Sequence, residues 1–498
     1  MKKALLIVII GAIFSQGLFA QDFSSTQSSI HREFEHKKAQ IHQKYNETRL
    51  RINLHYAEML ERIWRNYNGE AGPPSPIEER RQDPIVFPDD DKGHKDHELQ
   101  VEVVPQPEPD PQPEPTVPIE EEDKQPKPED RTVPINYFGT ELQVRVPDGF
   151  NIDLKSPASE RAVAKAWKQL SESGLEITIG DCLELRTQRR LCDWAYLLFL
   201  RQVADGLCGG RSDLKELLSA YLYSQSGYKM RMAFHGDKRL IMLYSSKHQI
   251  YNKRYWNTGG EKWYPVEDIE GQLQISSASF PGETSLSLQV YKAPILSDAT
   301  MGVRSLNSKR YDGMQFAILT NRNLINFYDT YPTSMIGDDF GTRWAMYANT
   351  EMSETVQESF YPSLRRQLVG KSEFEQVSRV LNLLQTGLEY KYDDQVWGHD
   401  RAFFAEETLF YPYADCEDRA ILFSRIVRDV IDLPVVLLYY PGHLAAAVNF
   451  NENITGDYVQ LSGRRYVVCD PTYVGAPVGA TMPGMENSQA KLIPVGKQ

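Results

Sequence analysis

Cysteine is scarce in this chain: the 498 residues contain five, and none of them forms the C-x-x-C pair typical of a metal site. Basic patches with interleaved aromatic residues are also absent, and the net charge is −13, which argues against nucleic acid as a partner. The apolar run at residues 4–14 is shorter than the about 20 residues that a membrane-spanning helix needs. No cofactor is indicated.

The N-terminus predicts export. A basic start, the apolar run and a small residue at Ala20 match a signal peptide over residues 1–20, whereas a buried N-terminal helix is the alternative. No cysteine follows the cleavage point, so we expect a secreted, periplasmic or cell-surface protein without a lipid anchor. Export permits disulfides, and we expect one bridge among Cys182, Cys192 and Cys208, although free thiols fit the spacing equally.

The length exceeds what one hydrophobic core usually serves, so we expect several domains in an α+β fold. Residues 21–68 predict a long amphipathic helix, with one apolar stripe over residues 28–67. This stripe predicts docking on the chain's own body, self-association or an envelope partner. Proline and acidic runs over residues 69–134 predict a stiff, disordered spacer.

The rest of the chain divides by pattern. Residues 135–269 predict an α/β domain, alternating polar and apolar residues predict a β-sandwich-like module over 270–327, and residues 328–498 form a C-terminal domain.

Within this C-terminal domain, Cys416 lies at the start of an apolar-periodic run that predicts a helix ending near Asp432. Asp415 is a plausible N-cap, and the positive end of the helix dipole favours the thiolate, which is the nucleophilic form of cysteine. The sequence therefore places Cys416 where a thiol nucleophile would be activated.

Two further residues complete a candidate site. His443 begins the return strand of a predicted hairpin, and Asp470 ends a later short strand. Helix, hairpin and strand could bring the three side chains together, with His443 as general acid and base and Asp470 as its orienting carboxylate. Singly, each residue also has an ordinary structural role as a core thiol, a core histidine or a strand end.

The Cys416 backbone N–H is a natural oxyanion donor, and Trp397, Tyr411 and Tyr413 are candidates for a second donor or for simple packing. His399 is a rival histidine in a polar loop. Cys469 should face away from the site, because adjacent strand residues face opposite sides.

These residues resemble the transglutaminase-like superfamily, which has a papain-like fold with a Cys, His, Asp triad. The resemblance covers about residues 374–478 and is carried by residues 413–420 (YADCEDRA), 440–443 (YPGH) and 469–473 (CDPTY), with 390–394 and 405–409 upstream. It implies a nucleophile at Cys416, a general acid and base at His443 and an orienting residue at Asp470. Many members have glycine beside the nucleophile, where this chain has Ala414 and Asp415.

The middle region predicts a degenerate second copy of the C-terminal one, because helix, strand, turn and strand recur in the same order. Matching turns and strands places Gly210 opposite Cys416, Asp237 opposite His443 and Glu267 opposite Asp470. The alternative is coincidence between generic α/β segments.

Three functions follow from the site and the resemblance. We expect a secreted cysteine protease or amidase that acts on a protein or peptide through a thioester. The alternatives are a transglutaminase that joins glutamine to lysine, and an inactive binding scaffold in the cell envelope.

Overall fold

The computed structural model describes residues 20–74, 83–88, 95–106, 130–299, 303–337, 339–485 and 489–496. The predicted signal peptide therefore lies outside the described residues except for Ala20. The fold mixes helices and sheets, which confirms the α+β class. In the part of the chain that the structure describes, no helix is both long and apolar enough to cross a bilayer.

The first half of the chain contains five helices and eleven strands. They are α1 (Ala20–Arg62), β1 (Trp64–Asn68), β2 (His97–Glu98), β3 (Glu102–Val103), β4 (Arg131–Tyr137), β5 (Thr140–Val146), α2 (Glu160–Ser171), α3 (Glu176–Gln188), α4 (Asp193–Cys208), α5 (Ser212–Gln225), β6 (Met230–His235), β7 (Arg239–Ser245), β8 (Gln249–Ile250), β9 (Trp256–Thr258), β10 (Glu261–Pro265) and β11 (Gln272–Ser276), counted over the described residues.

The second half begins with a small hairpin and a series of short helices that lead to the candidate nucleophile. Its elements are β12 (Arg304–Asn307), β13 (Gln315–Ile318), α6 (Arg322–Tyr328), β14 (Ser334–Met335), α7 (Gly341–Asn349), α8 (Glu354–Ser359), α9 (Tyr361–Leu368), α10 (Glu373–Gly387), β15 (Glu389–Tyr390), α11 (Asp393–Val396), α12 (Ala405–Phe410), β16 (Tyr413–Ala414), α13 (Cys416–Ile426) with a π-helical end at Val427–Ile431, β17 (Val435–Tyr440), β18 (His443–Val448), β19 (Asp457–Leu461), β20 (Arg464–Cys469) and β21 (Lys491–Pro494).

Helix α1 docks on the chain's own body through its C-terminal part. Tyr56 and Leu60 are buried in the main core, and α1 packs against α2. The buried Asn53 amide bonds Gln225 at 3.0 Å and accepts the indole N–H of Trp167 at 3.1 Å. The helix ends at Arg62, so the predicted end at residue 68 is wrong, because Trp64–Asn68 pairs with β11 as a strand.

The first sheet has the order β1-β11-β6-β7-β10-β9 and closes on itself. Glu70, just after β1, exchanges two backbone hydrogen bonds with Tyr255, just before β9, at 2.8 and 3.0 Å. One face of every main strand contributes to an enclosed apolar cluster that includes Trp256 and Trp263. The sheet is therefore a small barrel, here called barrel 1, whose other face packs on the helices.

The second sheet has the order β2-β19-β20-β18-β17-β21-β3. Its two outermost strands, β2 and β3, are separated by only residues 99–101. A flat sheet would place them about 29 Å apart at about 4.8 Å per strand spacing, whereas four residue steps reach only about 14 Å. The sheet must therefore curl, and Leu99 is buried in the cluster on its enclosed face. This is barrel 2.

The two barrels share one topology. Leaving aside β1, β2 and β3, which precede the barrel strands in the chain, the orders are β9-β10-β7-β6-β11 and β19-β20-β18-β17-β21, with every neighbouring pair antiparallel. Each barrel follows a helix, α5 or α13, that packs against its second strand, β7 or β18.

Register gives the residue correspondence between the barrels. The core-facing pair Phe234 and Leu240 matches Tyr439 and Leu444, which puts Arg239 opposite His443. The predicted match to Asp237 is wrong by two residues, and the first hairpin turn, which has one residue more than the second, accounts for one of them.

The other two positions follow in the same way. The cross-strand pair of Tyr244 and Tyr264 matches Val448 and Val467, so Glu267 lies opposite Asp470 as predicted. Ser212 and Cys416 are the first residues of α5 and α13, which replaces the predicted match to Gly210. The π-helical end of α13 accounts for one of the two residues of this shift, because a π-turn adds one residue to a helix.

Parts of the predicted spacer are structured. Within residues 69–134, β2 and β3 add to barrel 2, and Val104 is buried. Residues 131–134 belong to β4, which pairs with β5. The prediction of a solvated spacer is therefore wrong at these positions, because the barrel edges supply backbone partners that composition does not reveal.

The described residues of the predicted β-sandwich, 270–327, form no sandwich. Strand β11 belongs to barrel 1, and β12 pairs only with β13. Residues 285–290 alternate between polar and apolar side chains, which suggested a strand. The alternation instead arises because Leu286, Leu288 and Val290 insert into the main core.

All five cysteines are free, so the predicted bridge among Cys182, Cys192 and Cys208 is wrong. Cys192 is the N-cap of α4, and Cys208 is the last of the 16 residues of this helix. A rise of about 1.5 Å per residue places them about 24 Å apart, far beyond the about 7 Å that a disulfide spans between Cα atoms.

Candidate active site

Cys416 is the first residue of α13 and is 6% exposed. Asp415 is the N-cap, as predicted: its side chain accepts the Asp418 N–H, and the Asp418 side chain accepts the Asp415 N–H in return. This reciprocal cap fixes the backbone on both sides of the thiol and places Cys416 at the positive end of the helix dipole.

His443 and Asp470 form a buried hydrogen-bonded pair. His443 Nε2 lies 2.8 Å from Asp470 Oδ2, and the two side chains are 1% and 2% exposed. Asp470 Oδ1 accepts the backbone N–H groups of Thr472 at 2.8 Å and Tyr473 at 3.2 Å, so the carboxylate is held on both oxygens. His443 Nδ1 is buried and has no hydrogen-bond partner among the described residues.

This pairing assigns the histidine nitrogens. Because a carboxylate only accepts hydrogen bonds, Nε2 carries the proton that it donates to Asp470. In the neutral imidazole, Nδ1 then has a free lone pair. The ring is thus oriented by one nitrogen and available for proton transfer through the other.

The structure brings the three predicted elements together. Helix α13 packs against β18, the strand that His443 begins. One turn beyond Cys416, the buried Arg419 guanidinium bonds the carbonyls of Pro471 at 3.5 Å and Leu388 at 2.9 Å. The first turn of α13 therefore lies against the loop that carries Asp470.

The loop after β20 is secured by a second buried side chain. The Gln385 amide nitrogen donates to the carbonyls of Asp470 at 3.0 Å and Ala476 at 3.2 Å, and its oxygen accepts the Gly475 N–H at 3.2 Å. Helix α10 thus holds the Asp470 loop in place.

Acidic residues surround the thiol. Glu417 Oε2 lies 4.0 Å from Cys416 Sγ. Burial raises the pKa of Asp393 and Asp415 well above the usual range, reinforced by neighbouring carboxylates. Burial also raises the pKa of Asp418 to about 7.

Arg343 on α7 balances part of this negative charge. Its guanidinium pairs with Asp400 and lies 3.0 Å from Glu417 Oε1. Burial opposes the charge on Arg343, but the two carboxylates hold its pKa above the ordinary value. Asp393, Asp400 and Glu417 have the spacing of a metal site, yet the Arg343 cation already neutralises two of them.

Tyr390 lies on a short strand that pairs with the segment before the nucleophile. Its backbone is opposite Ala414, two residues before Cys416. Burial raises the pKa of its phenol, and the charges of Cys416 and Asp415 act in the same direction. Its ring contacts Tyr392 edge-on at 5.3 Å between centroids and lies under the Arg419 guanidinium.

The candidates for a second oxyanion donor pack elsewhere. Tyr411 donates to Asp329 at 2.6 Å, and the Arg401 guanidinium covers the rings of Tyr411 and Trp397. Tyr413 lies under Lys391. The rival His399 is exposed and bonds the Trp397 carbonyl at 3.0 Å.

Cys469 is buried in the main core with no measurable exposure. The same core contains Cys416, so it stays a prediction that Cys469 faces away from the site. Burial raises the pKa of its thiol well above the ordinary value. Sequence reasoning missed Arg343, Gln385, Arg419 and Tyr390 as site residues. Tyr390 and Arg419 lie in the segments that carry the resemblance to the transglutaminase-like superfamily. Arg343 and Gln385 lie outside them, because they reach the site from helices that are distant in sequence.

The fold and the site define an α+β protein with a buried His–Asp pair at the start of a strand, against which a helix with an N-terminal cysteine packs. No protein-family model matches the chain, and no curated protein shows significant similarity to it.

Proposed function

We propose that this chain is a cysteine-dependent acyl-transfer enzyme with a papain-like core of the transglutaminase-like kind. The observation that carries the proposal is the buried His443–Asp470 pair with an unpartnered Nδ1, on the strand against which the Cys416 helix packs. A histidine oriented by a carboxylate next to a helix-terminal thiol is the arrangement that activates a nucleophile.

The reaction follows from these roles. His443 Nδ1 takes the thiol proton, and the Cys416 sulfur attacks an amide carbonyl to form a C–S bond and a tetrahedral oxyanion. The imidazolium then gives its proton to the amide nitrogen, the C–N bond breaks, and an amine leaves behind a thioester. Asp470 holds the ring and stabilises the imidazolium throughout.

The acceptor decides the class of enzyme. Water attacking the thioester, with His443 as base, breaks the C–S bond and gives a protease or amidase, which is the function we favour because water is the default acceptor. A lysine amine in place of water would make the enzyme a transglutaminase. A third proposal is an inactive scaffold. For a chain exported by residues 1–20, each activity would act in the envelope or outside the cell.

We also propose that the two barrels arose by internal duplication. Shared strand order and directions over five strands, together with a preceding helix in each case, support it. The first copy carries Ser212, Arg239 and Glu267 in place of the candidate triad. Arginine stays protonated in proteins and has no lone pair to accept a proton, so this copy would lack the general base.

The test is the pH dependence of iodoacetamide alkylation at Cys416, read by peptide mapping in wild type and His443→Ala. We expect fast labelling below about pH 7 in wild type and its loss in the variant, since an ordinary thiol reacts as thiolate only near its pKa of about 8.5. The buried Cys469 provides an internal control in the same digest. Slow labelling that is unchanged by the substitution would overturn the proposal and favour the scaffold.

Assays with peptide substrates then distinguish a transglutaminase from a protease or amidase. Release of ammonia with incorporation of a monoamine into a glutamine peptide indicates cross-linking. New peptide termini or deamidated products without incorporation indicate hydrolysis.

A further inference from the structure

A short extended segment, residues 83–88 (DPIVFP), lies against the loop that follows Asp470 and is here called the strap. Its backbone bridges in parallel to Val474: the Phe87 N–H donates to the Val474 carbonyl at 2.8 Å, and the Val474 N–H donates to the Ile85 carbonyl at 2.9 Å. Val474 lies four residues after Asp470 on the same loop. The strap thus adds as a strand to the backbone that carries the triad carboxylate.

The side chains of the strap alternate as in a bound peptide. Ile85 and Phe87 are half-buried against an apolar cluster, whereas Val86 between them points outward and is 70% exposed. The Phe87 ring contacts Tyr473 at 5.4 Å between centroids. The receiving cluster consists of Tyr473, Ala476, Ala480 and Met482.

The strap also contacts the segment that pairs with the approach to the nucleophile. The Tyr392 hydroxyl donates to Asp83 Oδ1 at 2.9 Å. Tyr392 contacts Tyr390, whose backbone pairs with Ala414, two residues before Cys416. The strap therefore extends from the segment that flanks the nucleophile to the loop that carries Asp470.

We propose that the strap occupies a peptide-binding groove of the enzyme and acts as an intramolecular competitor of its substrate. This inference rests on the proposed function and names the substrate class: an extended peptide with apolar side chains at alternate positions. Main-chain bonds to an exposed strand give such a groove its affinity, and pockets for alternate side chains give it selectivity. A tethered competitor acts at an effective concentration in the millimolar range, so it excludes weak peptides.

The first experiment compares access to Cys416 in full-length variants. Ile85→Asp/Phe87→Asp removes both apolar contacts, and the control Val86→Asp adds one carboxylate on the exposed side of the strap. We expect the double variant to raise iodoacetamide labelling of Cys416 about tenfold, equivalent to about 1.4 kcal/mol, and the control to leave it unchanged. Equal labelling in all three proteins would overturn the proposal. Asp83→Ala, at an exposed position, tests the same release without disturbing the apolar cluster and should raise labelling by a smaller factor.

The second experiment does not depend on catalysis. A fluorescein-labelled DPIVFP peptide should bind the double variant, measured by anisotropy, and should bind wild type at least about tenfold more weakly, because the tethered copy fills the groove. Peptide binding without thiol reactivity would retain the groove while rejecting the proposed chemistry. A reactive Cys416 with no peptide binding in any variant would show that the strap is only a structural clamp.

Discussion

Arg239 and Glu267 form an ion pair at the positions where barrel 2 carries His443 and Asp470. Arg239 Nη2 lies 3.4 Å from Glu267 Oε2, and the side chains are 53% and 60% exposed. Glu267 also pairs with Arg201 at 3.0 Å. The corresponding pair in barrel 2 is buried and lies at 2.8 Å. Equivalent positions in the two barrels thus hold a solvated salt bridge in barrel 1 and a buried histidine–aspartate pair in barrel 2.

This difference predicts that alanine substitutions at Arg239 and His443 have different effects on the alkylation of Cys416. Arg239→Ala should leave Cys416 alkylation unchanged and cost less than about 1 kcal/mol of unfolding free energy, because exposed ion pairs contribute little. His443→Ala should strongly slow alkylation. Peptide mapping and urea denaturation of both variants measure the two effects. Slower labelling in Arg239→Ala would show that the barrels are coupled.

Arg343→Met should destabilise the protein by about 3–5 kcal/mol, because it leaves buried carboxylates without their cation. The matched control is Arg190→Met, which breaks the exposed pair with Glu354 and should cost less than about 1 kcal/mol. Adding Asp400→Asn and Glu417→Gln to Arg343→Met should restore part of the stability. Urea denaturation provides the measurement, and equal costs for the two single variants would contradict the charge-balancing role.

The raised pKa of Asp418, about 7, predicts how stability depends on pH. An unfolded aspartate has a pKa of about 3.9, so between these values the folded chain holds a proton that the unfolded chain releases. This group therefore stabilises the fold below about pH 4, and its contribution is lost as pH rises to about 7, at up to about 1.4 kcal/mol per pH unit. Asp393 and Asp415 act in the same direction.

The measurement is the difference in unfolding free energy between wild type and Asp418→Asn from pH 4 to pH 8, in which titrating groups that do not interact with Asp418 largely cancel. We expect the variant to gain relative to wild type as pH rises. A difference that is flat across this range would mean that Asp418 ionises normally.

Asn53→Ala should cost about 2 kcal/mol or more, because it leaves the buried Gln225 amide and the Trp167 indole N–H unsatisfied. The exposed Gln43→Ala on the same helix should change stability by less than about 0.5 kcal/mol. Urea denaturation compares them. If neither substitution lowers the free energy of unfolding, α1 contributes little to the stability of the folded protein.

Local patterns predicted the helix–hairpin–strand path through Cys416, His443 and Asp470 because each step has a nearby signal. Asp415 caps the helix, Asp432 ends it in the left-handed region at φ 64°, and Gly442 permits the tight turn at φ 84°. The recurrence of helix, strand, turn and strand in the two regions was predicted from the pattern. The exact register was not, since the match to His443 lies two residues away from Asp237, at Arg239, and the extra residue in the first turn accounts for one of them.

The remaining features depend on contacts between distant segments. Arg343 and Gln385 reach the site from helices 74 and 85 residues away along the chain. Nothing near either residue marks it as special. The closing strands β2 and β3 lie in a stretch whose proline and acidic composition predicts solvation, and only the free edges of barrel 2 explain why they are ordered.

The closure of barrel 2 also bears on how the protein folds. Asp96 and Gly456, which bond where β2 meets the barrel, are 360 residues apart in the chain. Joining such distant segments has a high entropic cost and slows folding. Strands β17 to β21 can pair through short connections first, so the barrel should form with both edges unpaired and remain prone to association until residues 97–103 arrive. The slowest step in maturation would then be set by the N-terminal segment, far from the candidate nucleophile in sequence.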